Sequence, residues 1–244
     1  MSFPDFTDLR QIALALKDDA QFDDLRRSIE SVWRVQSCNA DLRQSADACE
    51  ALNSLRRSPR QQGSLSRATT ENALLITGVM LYARATGTSG QRGERGSIQL
   101  DAKKLAPQEH VDHTILLDIR NRAFAHVYRE SPIADNVWHE DVVFAVDFAE
   151  RGWRPAVGSN RISFHVPTFE RLQRQIPVAD AHLMKAFHKR IDAVTHMINV
   201  ASVPLDLFLR FRFDPVQKFG GVKAAEQILA GTQVGHATVM TDRP

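Results

Sequence analysis

The sequence predicts a mostly α-helical fold, a helical bundle with one small β-hairpin insertion. Three observations lead there. Apolar residues recur at three- and four-residue steps through most of the chain. Long stretches such as 20–57 contain neither Pro nor Gly. Only between about 141 and 167 does the apolar period fall to two.

Taken in order, Phe6, Leu9, Ile12, Ala13 and Leu16 share one helical face at 5–18, with Asp5 or Thr7 placed to cap it. From 20 to 57, Phe22, Leu25, Ile29, Val32 and Trp33 open an apolar stripe that Leu42, Cys49, Leu52 and Leu55 continue, as one long helix or two. Residues 56–67 are a polar, basic break containing Pro59 and Gly63. Residues 66–84 make the most apolar helix, with Leu74, Leu75, Ile76, Val79, Met80 and Leu81 in a broad band, and it belongs at the centre of the core. A Gly- and Arg-rich loop follows at 86–96. It lacks the Gly-Lys-Ser/Thr of a phosphate-cradling loop, and a helix rather than a strand precedes it.

A helix at 108–129 comes next, ended by Ser131-Pro132. Val142, Phe144, Val146 and Phe148 then alternate with Val143, Ala145 and Asp147, and Ile162, Phe164 and Val166 alternate again. With turns at 151–152 and 158–160, this is a hairpin or three short strands. The helical period returns at 169–203, along Leu172, Ile176, Leu183, Phe187, Ile191, Val194 and Ile198. Pro177 marks a place for a kink and Pro204 a stop. Residues 205–213 form a short apolar segment, 219–230 a last weak helix and 231–244 a frayed end. The expected division is an N-terminal helical extension (1–65), a helical core with the hairpin (66–203) and a C-terminal tail with short helices (204–244).

At 244 residues, 43% hydrophobic and 25% charged, the chain has the composition of an ordinary soluble globular protein, which excludes disorder and coiled coil as leading readings. A net charge of +2 decides nothing about nucleic acid. Of the 31 basic residues 24 are arginine, whose planar fork suits phosphate, although codon bias produces the same skew. The two cysteines, Cys38 and Cys49, form neither a Cys-x-x-Cys pair nor a disulfide framework, in keeping with a reducing compartment. The start of the chain is acidic and lacks the basic-then-apolar pattern of a secretory leader. The longest apolar run, 73–83, is too short to cross a bilayer. The expected location is therefore cytoplasmic, with no membrane partner.

The chemistry gathers on 114–130. Ile115, Leu116, Ile119, Ala123, Phe124 and Val127 make an apolar face, yet the same segment carries Asp118, Arg120, Asn121, Arg122, His126 and Tyr128. On an ideal α-helix, Arg120 and His126 point about 120° apart, whereas Arg122 and His126 share a face. A histidine near neutral pKa can move the proton of a ribose 2′-hydroxyl or of a leaving oxygen, and an arginine can hold the phosphate and stabilise its growing charge. Together these groups suit RNA strand scission.

The string Leu117-Asp-Ile-Arg-Asn-Arg-Ala-Phe-Ala-His-Val-Tyr128 resembles the HEPN superfamily, in its abortive-infection-like branch. That family's motif is an Arg, often followed by Asn, His or Asp, with a His four to six residues on. Here it reads Arg120-Asn121-x-x-x-x-His126. The likeness extends loosely over 66–202, with Tyr82-Ala83-Arg84 ending the helix before the motif helix. The resemblance implies a helical bundle that forms a homodimer with the two motif helices facing across a cleft. It implies a metal-independent endoribonuclease without cofactor, from a toxin–antitoxin or abortive-infection defence system. Arg120, Asn121 and His126 would then be catalytic, with Arg122 and Arg84 as further phosphate-binding candidates. In one branch a tyrosine placed like Tyr128 is modified with AMP by a nucleotidyltransferase-like antitoxin partner. The alternative is a non-catalytic HEPN-like module that binds RNA, a nucleotide or a protein partner.

Other residues read more plainly. Arg190 and His196 repeat the spacing by chance, without the Asn or the Asp-Ile-Arg-Asn lead. His110, His113, His182 and His188 read as surface histidines; His110 and His113 could be two metal ligands, but no third is in view. Trp33, Trp138 and Trp153 read as packing residues.

Overall fold

The computed structural model describes residues 3–59, 62–90, 95–126, 132–134, 136–149, 152–201 and 203–232. The fold is mostly α, with eight α-helices and two small two-stranded sheets among the described residues. No helix among them is long and apolar enough to cross a membrane. The chain forms two compact units, one from 1–40 with 182–244 and the other from 41–181. These boundaries cut across the divisions expected at 65 and 203. Both fall inside long helices, α2 (Asp23–Arg57) and α5 (Val166–Val200).

In the first unit, strand β1 (Phe6–Thr7) pairs antiparallel with β4 (Arg212–Phe213), Phe6 opposite Phe213. This corrects the expected helix at 5–18: helix α1 spans only Leu9–Ala15. Its cap is neither Asp5 nor Thr7. The Asp8 carboxylate accepts from Arg10 N and Gln11 N, while the Thr7 hydroxyl donates to Phe208 O at 3.0 Å. Ile12, Leu16, Phe22, Leu25, Ile29 and Val194 form the core of this unit. Helix α6 (Leu205–Arg210) leads into β4, and α7 (Pro215–Phe219) and α8 (Val222–Thr232) close the unit. Gly220, at φ 86°, ends α7 in the left-handed conformation. A cleft of about 400 Å³ opens among Leu9, Val32, Trp33, Phe187, Ile191 and Phe213.

The long segment from residue 20 proves to be one 3₁₀ turn, Ala20–Phe22, and one helix, α2. Asp23 and Asp24 lie in its first turn and Arg56 and Arg57 in its last, each complementing the helix dipole. α2 carries Leu42, Cys49 and Leu52 into the core of the second unit, where α3 (Leu65–Thr86) adds Leu75, Val79, Tyr82 and Ala83. α3 is the central helix expected at 66–84, capped by the Ser64 hydroxyl accepting from Arg67 N. Helix α4 (Pro107–Ile119) buries Leu116 and Ile119, and α5 buries Leu172 and Ala179 in the same unit. Pro177 sits inside α5 without ending it.

The region of period two is one hairpin, β2 (His139–Phe148) with β3 (Gly152–Arg161), Val143 opposite Val157. Two expectations are corrected. Gly158 is no turn but lies in β3 opposite Val142, where a Cβ would come 3.3 Å from the Phe144 ring. Residues 162–166 form no third strand. The frayed end expected at 231–244 lies, from 233 on, outside the described residues.

Three helices meet tightly at Gly78. The Ser45 hydroxyl of α2 donates to Gly78 O at 2.7 Å, and a Cβ on Gly78 would stand 2.8 Å from Leu172 Cδ2 of α5. Leu172 is fully buried, so its side chain has little room to yield. Gly78→Val is expected to cost about 2 kcal/mol in urea denaturation, as overpacked cores do. Leu172→Ala in the same chain should recover part of that loss, a coupling that independent sites would not show.

Candidate functional site

Helix α4 begins with Pro107 at its first position and the Glu109 carboxylate accepting from Ala106 N–H at 2.8 Å. Its first half faces a buried polar network. Asp112, 1% exposed, pairs with Arg171 at 3.3 Å and Arg174 at 2.9 Å, and accepts from Gln108. His113 is also buried, with Nδ1 2.8 Å from the Tyr82 hydroxyl. That hydroxyl donates to Gln175 Oε1, and the Gln175 amide donates to Glu109 O. The expectation of a surface His113 is thus corrected. Burial lowers its pKa, with a smaller push from His110, and burial raises that of Tyr82. A clue stood in the sequence: Asp112, Leu116, Ile119 and Ala123 are spaced 4, 3 and 4, so a carboxylate occupies a position of the apolar stripe.

The motif itself lies where the helix changes form. Ala125 N–H donates to Arg120 O at 2.9 Å, an i to i+5 bond, and Arg120–Phe124 form a π-helical turn. The α-helical wheel therefore does not carry across 120–126, and His126 stands beyond the last turn. The splay expected between Arg120 and His126, and the face expected to be shared by Arg122 and His126, do not carry over to this turn.

The turn is held from the hairpin side. His139 Nε2 lies 2.7 Å from Ala123 O, so that nitrogen carries the proton. The Trp138 ring meets Phe124 edge-on at 5.4 Å and His165 at 5.3 Å. Trp138 is buried, as a packing residue should be, whereas Trp153, expected to pack as well, is 71% exposed. The His165 Nδ1 in turn lies 2.8 Å from the Thr168 hydroxyl, and burial lowers the His165 pKa. Neither His139 nor His165 was singled out in the sequence, since nothing local ties them to residue 123.

The arginines divide sharply. Arg122 pairs with Asp118 one turn earlier at 2.9 Å. Arg84 is gripped by both oxygens of the buried Asp41, whose carboxylate also takes Arg95 at 2.6 Å. Arg120 forms no ion pair among the described residues. It donates from Nη1 to Asn121 Oδ1 at 2.7 Å, and its Nε is buried with no hydrogen-bond acceptor among those residues. Asn121 and His126 are exposed. Tyr128 lies outside the described residues. The chance match at Arg190 is spent on structure, donating to the Ser31 hydroxyl at 2.6 Å. None of the residues lining the cleft of the first unit belongs to the motif.

Comparison with protein-family models, with curated proteins and with solved structures finds no match to this chain.

The histidine network yields a pH dependence. Folded His113 and His165 resist protonation where an unfolded histidine takes a proton near 6.5. Below that pH the unfolded chain binds more protons, so stability is full above about 6.5 and falls as the pH drops toward the lower folded values. The urea midpoint should be lower at pH 5.5 than at pH 7.5, and His113→Asn should flatten part of that difference.

Proposed function

We propose that the chain is an endoribonuclease that cleaves RNA by attack of a ribose 2′-oxygen on the adjacent phosphorus. His126 takes the 2′-hydroxyl proton as the new P–O bond forms. The bond to the 5′-oxygen breaks, and that oxygen takes a proton from solvent, to which His126 afterwards returns its own. The products are a 2′,3′-cyclic phosphate and a 5′-hydroxyl. Arg120 binds the non-bridging oxygens and offsets their charge, and Asn121 orients its guanidinium.

The observation that carries this reading is the division among the arginines. Arg122 and Arg84 are committed to Asp118 and Asp41, while Arg120 has no carboxylate partner among the described residues and lies next to an exposed Asn121. A cation without a counterion among the described residues, six residues before an exposed histidine, favours an anionic substrate. The π turn adds support, because such distortions recur at functional sites. The HEPN resemblance supplies the rest: a defence role as a toxin or abortive-infection effector, a homodimer, and a nucleotidyltransferase-like antitoxin acting at Tyr128. The cleavage site then lies in the cleft between the two motif helices of that homodimer, as the resemblance implies.

The test is cleavage of RNA in EDTA. Arg120→Ala and His126→Ala are each expected to lose about 100-fold or more. Arg122→Ala and Arg84→Ala should lose less than about tenfold, because their charges are already paired. Product ends carrying cyclic phosphate identify the chemistry. An inactive wild type that still binds RNA favours the non-catalytic module, and unchanged activity in both motif variants refutes the site.

A further inference from the structure

β2 and β3 form a sheet that no other described strand joins, so each has an open edge. The two edges differ. Ile162 N–H donates to Trp138 O at 3.2 Å, which in an antiparallel ladder marks the even-numbered residues of β2 as those bonded to β3. Pro155, opposite Ala145, agrees, since a proline fits where its nitrogen faces away from the neighbouring strand. His139, Asp141, Val143, Ala145 and Asp147 therefore turn their backbone groups outward. The outward row of β3 is broken by Pro155. The row of β2 carries no Pro, no Lys and no bulge, and its two charged residues, Asp141 and Asp147, leave the centre of the edge from Val143 to Ala145 open.

Apolar side chains crowd both faces beside this edge. Val143 is 81% exposed and Val157 79%, and Val142, Phe144, Phe148 and Trp153 are also exposed. Exposed apolar side chains gathered beside an open edge are what contact sites present.

We propose that β2 pairs antiparallel with β2 of a second copy of this chain, about a two-fold axis at Val143. The assembly is a four-stranded sheet in the order β3-β2-β2-β3. One register stands out. With the axis at Val143, all five outward residues find partners: Val143 meets itself, Asp141 meets Ala145, and His139 meets Asp147. The His139 ring is held by Ala123 O of its own chain, so no like charges stand opposite one another in this ladder. Moving the axis to residue 144 sets Asp141 against Asp147 twice, and like charges directly opposite are destabilising. Moving it further leaves outward groups unpaired. In the favoured register Asp141 stays neutralised by its own Arg161, at 2.7 and 2.8 Å. On the other face Phe144 lies across from Val142 of the second copy, an aromatic and β-branched pair that strands favour. The contact is isologous and closes on itself. It is independent of the nuclease reading, because it sets the two His139 positions about 27 Å apart along the sheet.

The experiment is sedimentation velocity on the full chain at micromolar concentrations, with wild type, Val143→Asp, Val143→Lys and an equimolar mixture of the two variants. Each variant alone puts like charges across the axis and is expected to weaken association about 100-fold or more. The mixture should regain the wild-type mass. Val143 is exposed, so circular dichroism should be unchanged. Ala145→Pro removes an outward N–H without changing charge and should weaken association as well. A wild type with the same mass as the variants at every concentration overturns the proposal, as does a mixture that fails to recover. RNA cleavage is read separately on the same samples, so an inactive chain leaves this result standing.

Discussion

The buried carboxylate of Asp112 is the interaction on which the second unit depends. A carboxylate taken out of water is costly unless charge and hydrogen bonds replace the water. Here Arg171 and Arg174, one turn apart on α5, and Gln108, one turn earlier on α4, provide that replacement. The demand fixes the register of α4 against α5, because an arginine fork cannot be moved by a turn and still reach. Leu116 and Ile119 then fall into the core, and the end of α4 arrives where the hairpin can hold it. The Tyr82–His113–Gln175 chain beside it uses neutral groups to the same end.

The π turn is best understood as the product of two pulls. From one side the apolar stripe draws Ile119 and Ala123 inward. From the other, His139 takes the Ala123 carbonyl and Trp138 packs against Phe124. The wider turn satisfies both, and Arg120 and Asn121 remain at its start with side chains that packing does not consume. Side chains placed this way are positioned by buried neighbours while Asn121 stays in reach of solvent.

How much of this was legible in the sequence varies with how local the cause is. The helices and the hairpin were legible, because the apolar period is a property of each segment alone. Caps were not. Asp5, Thr7 and Asp8 all qualify at the start of α1, and the choice is made by Phe6 pairing with Phe213, at the far end of the chain. Gly158 reads locally as a turn because its reason for being small is the Phe144 ring, on the other strand. Within the candidate site, Arg120 and Asn121 were legible as a motif. The π turn was not, since it depends on His139, which no local pattern connects to Ala123.

The pairing of β1 with β4 has a consequence for the order in which the chain takes shape. The second unit is a single run, 41–181, so its contacts can gather as soon as that run exists. The first unit draws on both flanks, and its opening segment has no strand partner until Arg212–Phe213 has been made. During synthesis the first forty residues wait while the middle of the chain organises. Ile12, Phe22 and Leu25 remain uncovered by Val194 and Leu207 through that interval, an exposure that the finished core conceals.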